Sequence, residues 1–388
     1  ILIIILIVIL ALTLLVVIPF ALYVAGVDIF SGNNIPSAVP QKIGIPQALD
    51  ILIRSEDGGV VWKHAAISEN PSVAFPRVIY SFVNDPNDGN VFYLGGASSG
   101  LWKSINAGRT WNQVADENKT LNSRADVYDI TIAGKNSDII YVAAYEKNHG
   151  RILKSEDGGA HFTEMYATSI DKTSIFDITL DSADKNHVFA VTGEGALIET
   201  INGGKTWRIK KSFTRPLVQL IANPHTAQEL YVVNADGNVF KSVTGGRDWS
   251  DPIGAPSSQP ITPGYEVGIF DFFTQSVNGT GRIFVVDLSD PSRVYSAKDQ
   301  YLLKSEDSGL TWQEVTLLLS KELLPLTAVT IDPHKSNTIF VAAKNQLQKS
   351  IDGGVTWSNV SLSAGVNITR LIIHPNNSNI MFAVVARR

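Results

Sequence analysis

Short runs of apolar residues, often alternating with polar ones, recur along most of the chain, and clusters of Gly, Pro, Asn and Asp break them. That is the pattern of strands in antiparallel sheets. Only the beginning departs from it: residues 1–12 are entirely apolar, and no charge occurs before Asp28. At 1.5 Å per residue, residues 1–27 predict one α-helix of about 40 Å, longer than the roughly 30 Å hydrocarbon core of a bilayer. Pro19 removes one backbone donor within it and favours a kink. Residues 28–48, with Ser31-Gly32-Asn33-Asn34 and prolines at 36, 40 and 46, predict a semi-extended linker to a head that starts at residue 49.

Within the head one frame recurs seven times, Ser/Thr-x-Asp/Asn/Thr-x-Gly-x-x-Trp/Phe, starting at Ser55, Ser104, Ser155, Thr200, Ser242, Ser305 and Ser350. Its third position holds Asp57, Asn106, Asp157, Asn202, Thr244, Asp307 and Asp352, and its closing aromatics are Trp62, Trp111, Phe162, Trp207, Trp249, Trp312 and Trp357. Asp or Asn at the third position accepts hydrogen bonds from nearby N–H groups, and glycine supplies a positive φ, so each copy predicts a hairpin turn between two strands. The closing aromatic packs back over that turn as a staple of the fold.

Successive copies start 49, 51, 45, 42, 63 and 45 residues apart. A period of roughly 40–50 residues carrying about four strands predicts the blades of a β-propeller, none of which buries its faces alone. The head begins in mid-blade, because residues 52–64 supply two strands and a turn, whereas residues 367–385 supply two strands with no repeat turn after them. Together the two ends predict a composite blade that closes the ring without an open edge, making an all-β, seven-bladed propeller.

Seven inner strands are expected at 78–83, 127–132, 175–180, 217–222, 269–274, 326–331 and 368–373. In that register one position recurs as Ser81, Asp129, Asp177, Gln219, Asp271, Ala328 and Arg370. On innermost strands these residues face the central channel. Three carboxylates on one ring attract a cation or a basic peptide, with Arg370 as partial counter-charge; a hydrated tunnel lined by polar residues is the plainer account of the same pattern. The 63-residue spacing before Ser305 marks an insertion: residues 250–266 are rich in Pro, Ser and Gly, and 278–300 read as irregular. Such loops serve as contact surfaces or as tolerated decoration.

With 388 residues, 44% of them hydrophobic, the chain has ample material for a large core. A net charge of −5 leaves no basic footprint and argues against nucleic acid as a partner. The absence of cysteine rules out disulfides, thiolate metal ligands and cysteine nucleophiles. No His-Glu-x-x-His, phosphate-cradling glycine loop or nucleophile elbow occurs, so no cofactor, metal or catalytic residue is expected. Glycoside hydrolysis needs two carboxyl groups at a usable separation, and Asp129 and Asp177 are a candidate pair whose separation the sequence does not give.

The repeat frame resembles the Asp-box, or BNR repeat, of sialidases, xyloglucanase-type glycoside hydrolases, sortilin-type receptors and photosystem II assembly/stability factor-like proteins. The similarity covers residues 52–357 and looks closest to the last group, whose blades also read as a strand pair, an Asn/Asp-Pro turn, then Lys-Ser-x-Asp-Gly-Gly-x-Thr-Trp. In these families the box is structural, so the resemblance implies a fold and not a reaction. The Arg-Ile-Pro opening of sialidases is absent, since Arg77 is followed by Val78-Ile79. Xyloglucanase-type enzymes set two catalytic Asp residues between two propellers, whereas this chain is long enough for one. The arginine patch of the assembly factors finds no matching cluster here. Residues 1–27, opening on Ile1 with no basic segment before it, resemble processed type IV pilins and their archaeal relatives, although Ile5 stands where many bacterial pilins carry glutamate. That resemblance implies cleavage before Ile1 and packing of the apolar helices into a filament core.

The first functional reading is therefore a non-enzymatic structural protein, a propeller displayed outside the cell on an apolar helix that meets the bilayer at least transiently and packs with copies of itself into a pilin-like filament. The alternative is a membrane-anchored extracytoplasmic assembly or stability factor, or interaction scaffold, of a membrane complex. A glycan-binding or glycan-hydrolysing propeller comes third.

Overall fold

An alternating strand pair leaves one apolar face uncovered, and stacking sheet on sheet around an axis covers every such face. The computed structural model describes residues 52–134, 136–250, 283–298, 301–362 and 366–387. The helix expected over 1–27 and the linker over 28–48 lie outside the described residues. Among the described residues no helix is long and apolar enough to cross a membrane.

Seven antiparallel sheets form the propeller. Blade 1 consists of strands Ile79–Asn84, Phe92–Gly96, Leu101–Ser104 and Asn112–Gln113, ordered from the inside outward. Blades 2 and 3 repeat this pattern over 126–167 and 175–212, and blade 4 has three strands among the described residues, over 217–242. Blades 5 and 6 cover 283–315 and 328–361. Blade 7 is composite: strands Val366–His374 and Asn377–Arg387 come from the end of the chain, and Leu52–Ser55 and Trp62–His64 complete it. Its junction pairs Leu52 with Val384 and Ser55 with Met381. At the seam with blade 1, Phe382 packs against Phe82 and Phe92 with ring centroids 5.0 and 5.2 Å apart, beside fully buried Trp102 and Trp111. Each such side chain contributes about 1.5–3 kcal/mol on burial, so ring closure is stabilised largely by this aromatic seam.

One strand differs from expectation. The inner strand of blade 5 is Ile283–Val286, inside the stretch 278–300 that reads as irregular, and 269–274 lie outside the described residues. The physical cue is the turn that follows: Asp287 Oδ1 accepts from the amide of Ser289 at 2.9 Å, just as Asp85 Oδ1 accepts from Asn87 at 2.8 Å after the inner strand of blade 1. The insertion therefore precedes this strand instead of following it.

The repeat turns show why the frame needs its residues. Ser55 Oγ accepts from the Gly59 amide at 3.0 Å, and Asp57 Oδ1 accepts from the amides of Val60 and Val61 at 3.0 and 2.8 Å. Ser305 and Asp307 hold Gly309 and Thr311 in the same way, at 2.8 Å each. The fourth and fifth positions are left-handed, with φ of 73° at Gly58 and 93° at Gly59, and two copies place Ala107 (φ 56°) and Ser308 (φ 57°) there without glycine's freedom. Trp62 Nε1 donates to Gly59 O at 2.9 Å and Trp312 Nε1 to Gly309 O at 3.0 Å, folding each ring back over its own turn. Trp111 instead donates to Ala65 O of blade 7, at 3.1 Å, and so ties two blades together.

A second device joins neighbouring blades. The residue before the frame's Ser/Thr is basic in six copies (Arg54, Lys103, Lys154, Lys241, Lys304 and Lys349) and is Glu199 in the seventh. Arg54 Nε donates to Ala107 O at 3.0 Å, Lys103 Nζ to Gly158 O at 3.2 Å and Lys241 Nζ to Ser308 O at 3.1 Å, each reaching the fourth position of the next blade's turn.

Candidate functional site

The inner strands carry the polar register position. Arg370, Ser81, Asp129, Asp177 and Gln219 occupy it on five consecutive blades, 7, 1, 2, 3 and 4, and Ile283 and Ala328 occupy it on blades 5 and 6. Ile283 thus takes the place expected for Asp271, which lies outside the described residues. In most inner strands a register shift occurs at this point, as between Val127 and Asp129 and between Ile175 and Asp177, and the extra residue turns the side chain toward the neighbouring blade.

The arc is a chain of hydrogen bonds from blade to blade. Ser81 Oγ donates to Asp129 Oδ1 at 2.9 Å. The Ile178 amide donates to Asp129 Oδ2 at 3.1 Å, and the Leu220 amide to Asp177 Oδ2 at 2.9 Å. Gln219 Nε2 donates to Phe284 O at 3.3 Å. Asp129 and Asp177 lie on adjacent inner strands, close enough for each to influence the other's ionisation.

Electrostatics follow from that closeness. Surrounding protein raises the pKa of Asp129, and burial followed by the negative charge of Asp129 raises Asp177 well above the usual carboxylate range. Both are half-buried and Arg370 is exposed, although protein encloses all three, as befits side chains that border a narrow wet space. Enclosure lowers the pKa of Arg370 from its ordinary value, and the fields of Asp129 and Asp177 oppose that effect. Among the described residues no hydrogen-bond acceptor meets its guanidinium.

These facts revise what the arc does chemically. Two of the three expected carboxylates are described, and their partners are Ser81 and main-chain amides of the following blades. The open valences belong to Arg370, whose planar fork has five donors. No cluster of three or more potential metal ligands occurs among the described residues.

Sequence patterning aligned the arc but passed over the interblade basic residues, whose signal was the recurring Lys or Arg before the frame. It also passed over Glu199, the exception. Glu199 is 1% exposed and gathers Arg208 Nη2 at 2.7 Å, Lys210 Nζ at 3.1 Å and His187 Nε2 at 3.1 Å. Burial works against its charge, but the bonds to His187, Lys210 and Arg208 together hold its pKa below the ordinary value.

No protein-family model matches the chain, and no curated protein sequence does so either. Solved structures do. A GH74 enzyme of Niastella koreensis superposes with a TM-score of 0.60 at 18% identity, over 79% of this chain and 51% of that one. YCF48 from Cyanidioschyzon merolae superposes with a TM-score of 0.58 at 15% identity, over 79% of this chain and 95% of that one. YCF48 bound to D1 peptide gives 0.56 at 16% identity, over 80% and 93%. The chain therefore spans about half the length of the GH74 enzyme and nearly the whole of YCF48. At these identities the likeness shows the seven-bladed propeller and not an activity.

Proposed function

We propose that this chain is a non-enzymatic interaction propeller, anchored outside the cytoplasm, that helps assemble or stabilise a membrane protein complex. The observation that carries the proposal is the arc of Ser81, Asp129, Asp177 and Gln219, whose hydrogen bonds run from blade to blade, with Arg370, whose guanidinium meets no hydrogen-bond acceptor among the described residues. The arc's carboxyl oxygens accept from Ser81 and from main-chain amides, and the guanidinium of Arg370 suits an acceptor group such as an acidic side chain of a partner. The match in length to YCF48, one structure of which holds a D1 peptide, supports a single propeller used for protein contacts. The uncharged stretch 1–27 also suits a filament subunit, the second reading.

The test compares the full chain with its Arg370→Gln variant on native membranes. Subunits of one membrane complex co-purify with the unaltered chain, and their recovery falls about tenfold with Arg370→Gln while the circular dichroism is unchanged. Release of reducing sugar from xyloglucan, lost in Asp129→Asn, sinks the proposal in favour of an enzyme. Filaments sheared from cells favour the second reading.

A further inference from the structure

The seams on the side of the repeat turns are built alike, so their exceptions carry information. In three seams the basic residue before the frame's Ser also meets a glutamate two residues on: Arg54–Glu56, Lys154–Glu156 at 2.6 Å and Lys304–Glu306 at 2.7 Å. Elsewhere a tyrosine on the second strand closes on the neighbouring turn: Tyr93 Oη donates to Gly158 O at 3.1 Å and Tyr231 Oη to Ser308 O at 3.3 Å. The seam between blades 6 and 7 has neither. Ile351 stands in the place of the glutamate and is 70% exposed, and Phe340 stands in the place of the tyrosine. Lys349 Nζ lies 5.3 Å from the Phe340 ring centroid and has no carboxylate partner among the described residues.

This seam holds a cavity of about 610 Å³. Lys349, Lys335, Arg293, Asn337 and Asn379 line it, with Asp332 as its one carboxylate. Asp332 is 1% exposed, and its Oδ1 accepts from the His334 amide and from Ser378 Oγ, each at 2.9 Å. Arg293 lies 3.6 Å from Asp287 and 3.8 Å from Asp290 and donates to Asn337 Oδ1 at 3.4 Å, which leaves the amide N–H₂ of Asn337 as a donor. Lys335, exposed at the rim, has no carboxylate partner among the described residues either. The cavity thus joins two uncompensated ammonium groups to amide donors.

We propose that this cavity binds a ligand through a compact oxyanion, a phosphate or sulfate group, held between Lys349 and Lys335. Ammonium groups act as point charges toward such anions, and the charge-assisted bonds are the strong ones. The volume lies in the range of small-molecule sites and exceeds a bare oxyanion, so a monoester has room for its remainder against Phe340 and Ile351. This site is independent of the polar arc and of any partner that binds there.

Isothermal titration of the detergent-solubilised full chain with inorganic phosphate and with glucose 6-phosphate is the test. Both probes bind, and Lys349→Met and Lys335→Ser each weaken them about tenfold or more. Lys103→Met, at the seam between blades 1 and 2 where Tyr93 closes the turn, leaves binding unchanged. Equal affinities identify a free oxyanion as the ligand, and tighter binding of glucose 6-phosphate identifies a monoester. No heat from either probe at about 20 mM overturns the proposal, because that concentration lies above any useful affinity. Binding that survives Lys335→Ser overturns it as well, since this exposed side chain has no structural partner to lose.

Discussion

Asp129 and Asp177 stand at the same register position on the inner strands of blades 2 and 3, and each accepts from a main-chain amide of the blade that follows, Asp129 from Ile178 at 3.1 Å and Asp177 from Leu220 at 2.9 Å. The pair rivets the propeller's inner wall, and burial raises the pKa of both carboxyls.

A carboxyl whose pKa rises on folding binds its proton more tightly in the folded chain. Stability therefore falls as pH rises from the unfolded value, about 4, toward the raised folded one, by up to about 1.4 kcal/mol per pH unit for one proton. Asp177→Asn removes the titration of Asp177. Urea unfolding of both chains between pH 4 and 8 shows the variant gaining on the unaltered chain as pH rises; parallel curves contradict the raised pKa of Asp177.

The repeat-turn aspartates act with the opposite sign. The hydroxyl and amide of Thr356 hold Asp352 down to about 2, and those of Thr311 hold Asp307 down to about 2. Their contribution is present above the unfolded pKa, about 4, and is lost as pH falls from there through about 2. Asp352→Asn is less stable than the parent at pH 7, and the gap closes below pH 3. Thermal melts at pH 7 and pH 2 read this directly.

Glu199 breaks the basic pattern of its position, yet restoring the pattern fails. Arg208, Lys210 and His187 already surround it, so Glu199→Gln costs about 2 kcal/mol through the unpaired cations, and Glu199→Lys costs more through repulsion. The melting temperatures rank parent, then Gln, then Lys. A Lys variant as stable as the parent shows that the cations relax freely into solvent.

Ser308 holds a left-handed φ of 57° where most copies place glycine. Ser308→Gly relieves that conformation and keeps the carbonyl that accepts from Lys241 and Tyr231. It stabilises the chain by about 0.5–1 kcal/mol, as measured by urea denaturation.

Much of the fold was legible because its signals are local. The frame from Ser55 to Trp62 is a turn whose donors and acceptors lie within eight residues, and such chemistry repeats in the sequence wherever it repeats in space. Blade number and the composite closure of residues 52–64 with the end of the chain followed from that repetition and from the two incomplete ends. The register position shared by Ser81, Asp129, Asp177 and Gln219 was likewise visible in the strands' alternation. Tertiary structure alone decided how those residues meet, because Ser81 and Asp129 are 48 positions apart and join only when two blades stack. How strongly two carboxylates shift each other's ionisation depends on angstroms between strands that no spacing encodes. The blade 5 inner strand was misplaced for a related reason: an insertion shifts the period, and only the hydrogen bonds of Asp287 restore the frame. The cavity beside Lys349 is lined by residues as far apart in the chain as Arg293 and Asn379, so only the stacking of blades brings its lining together.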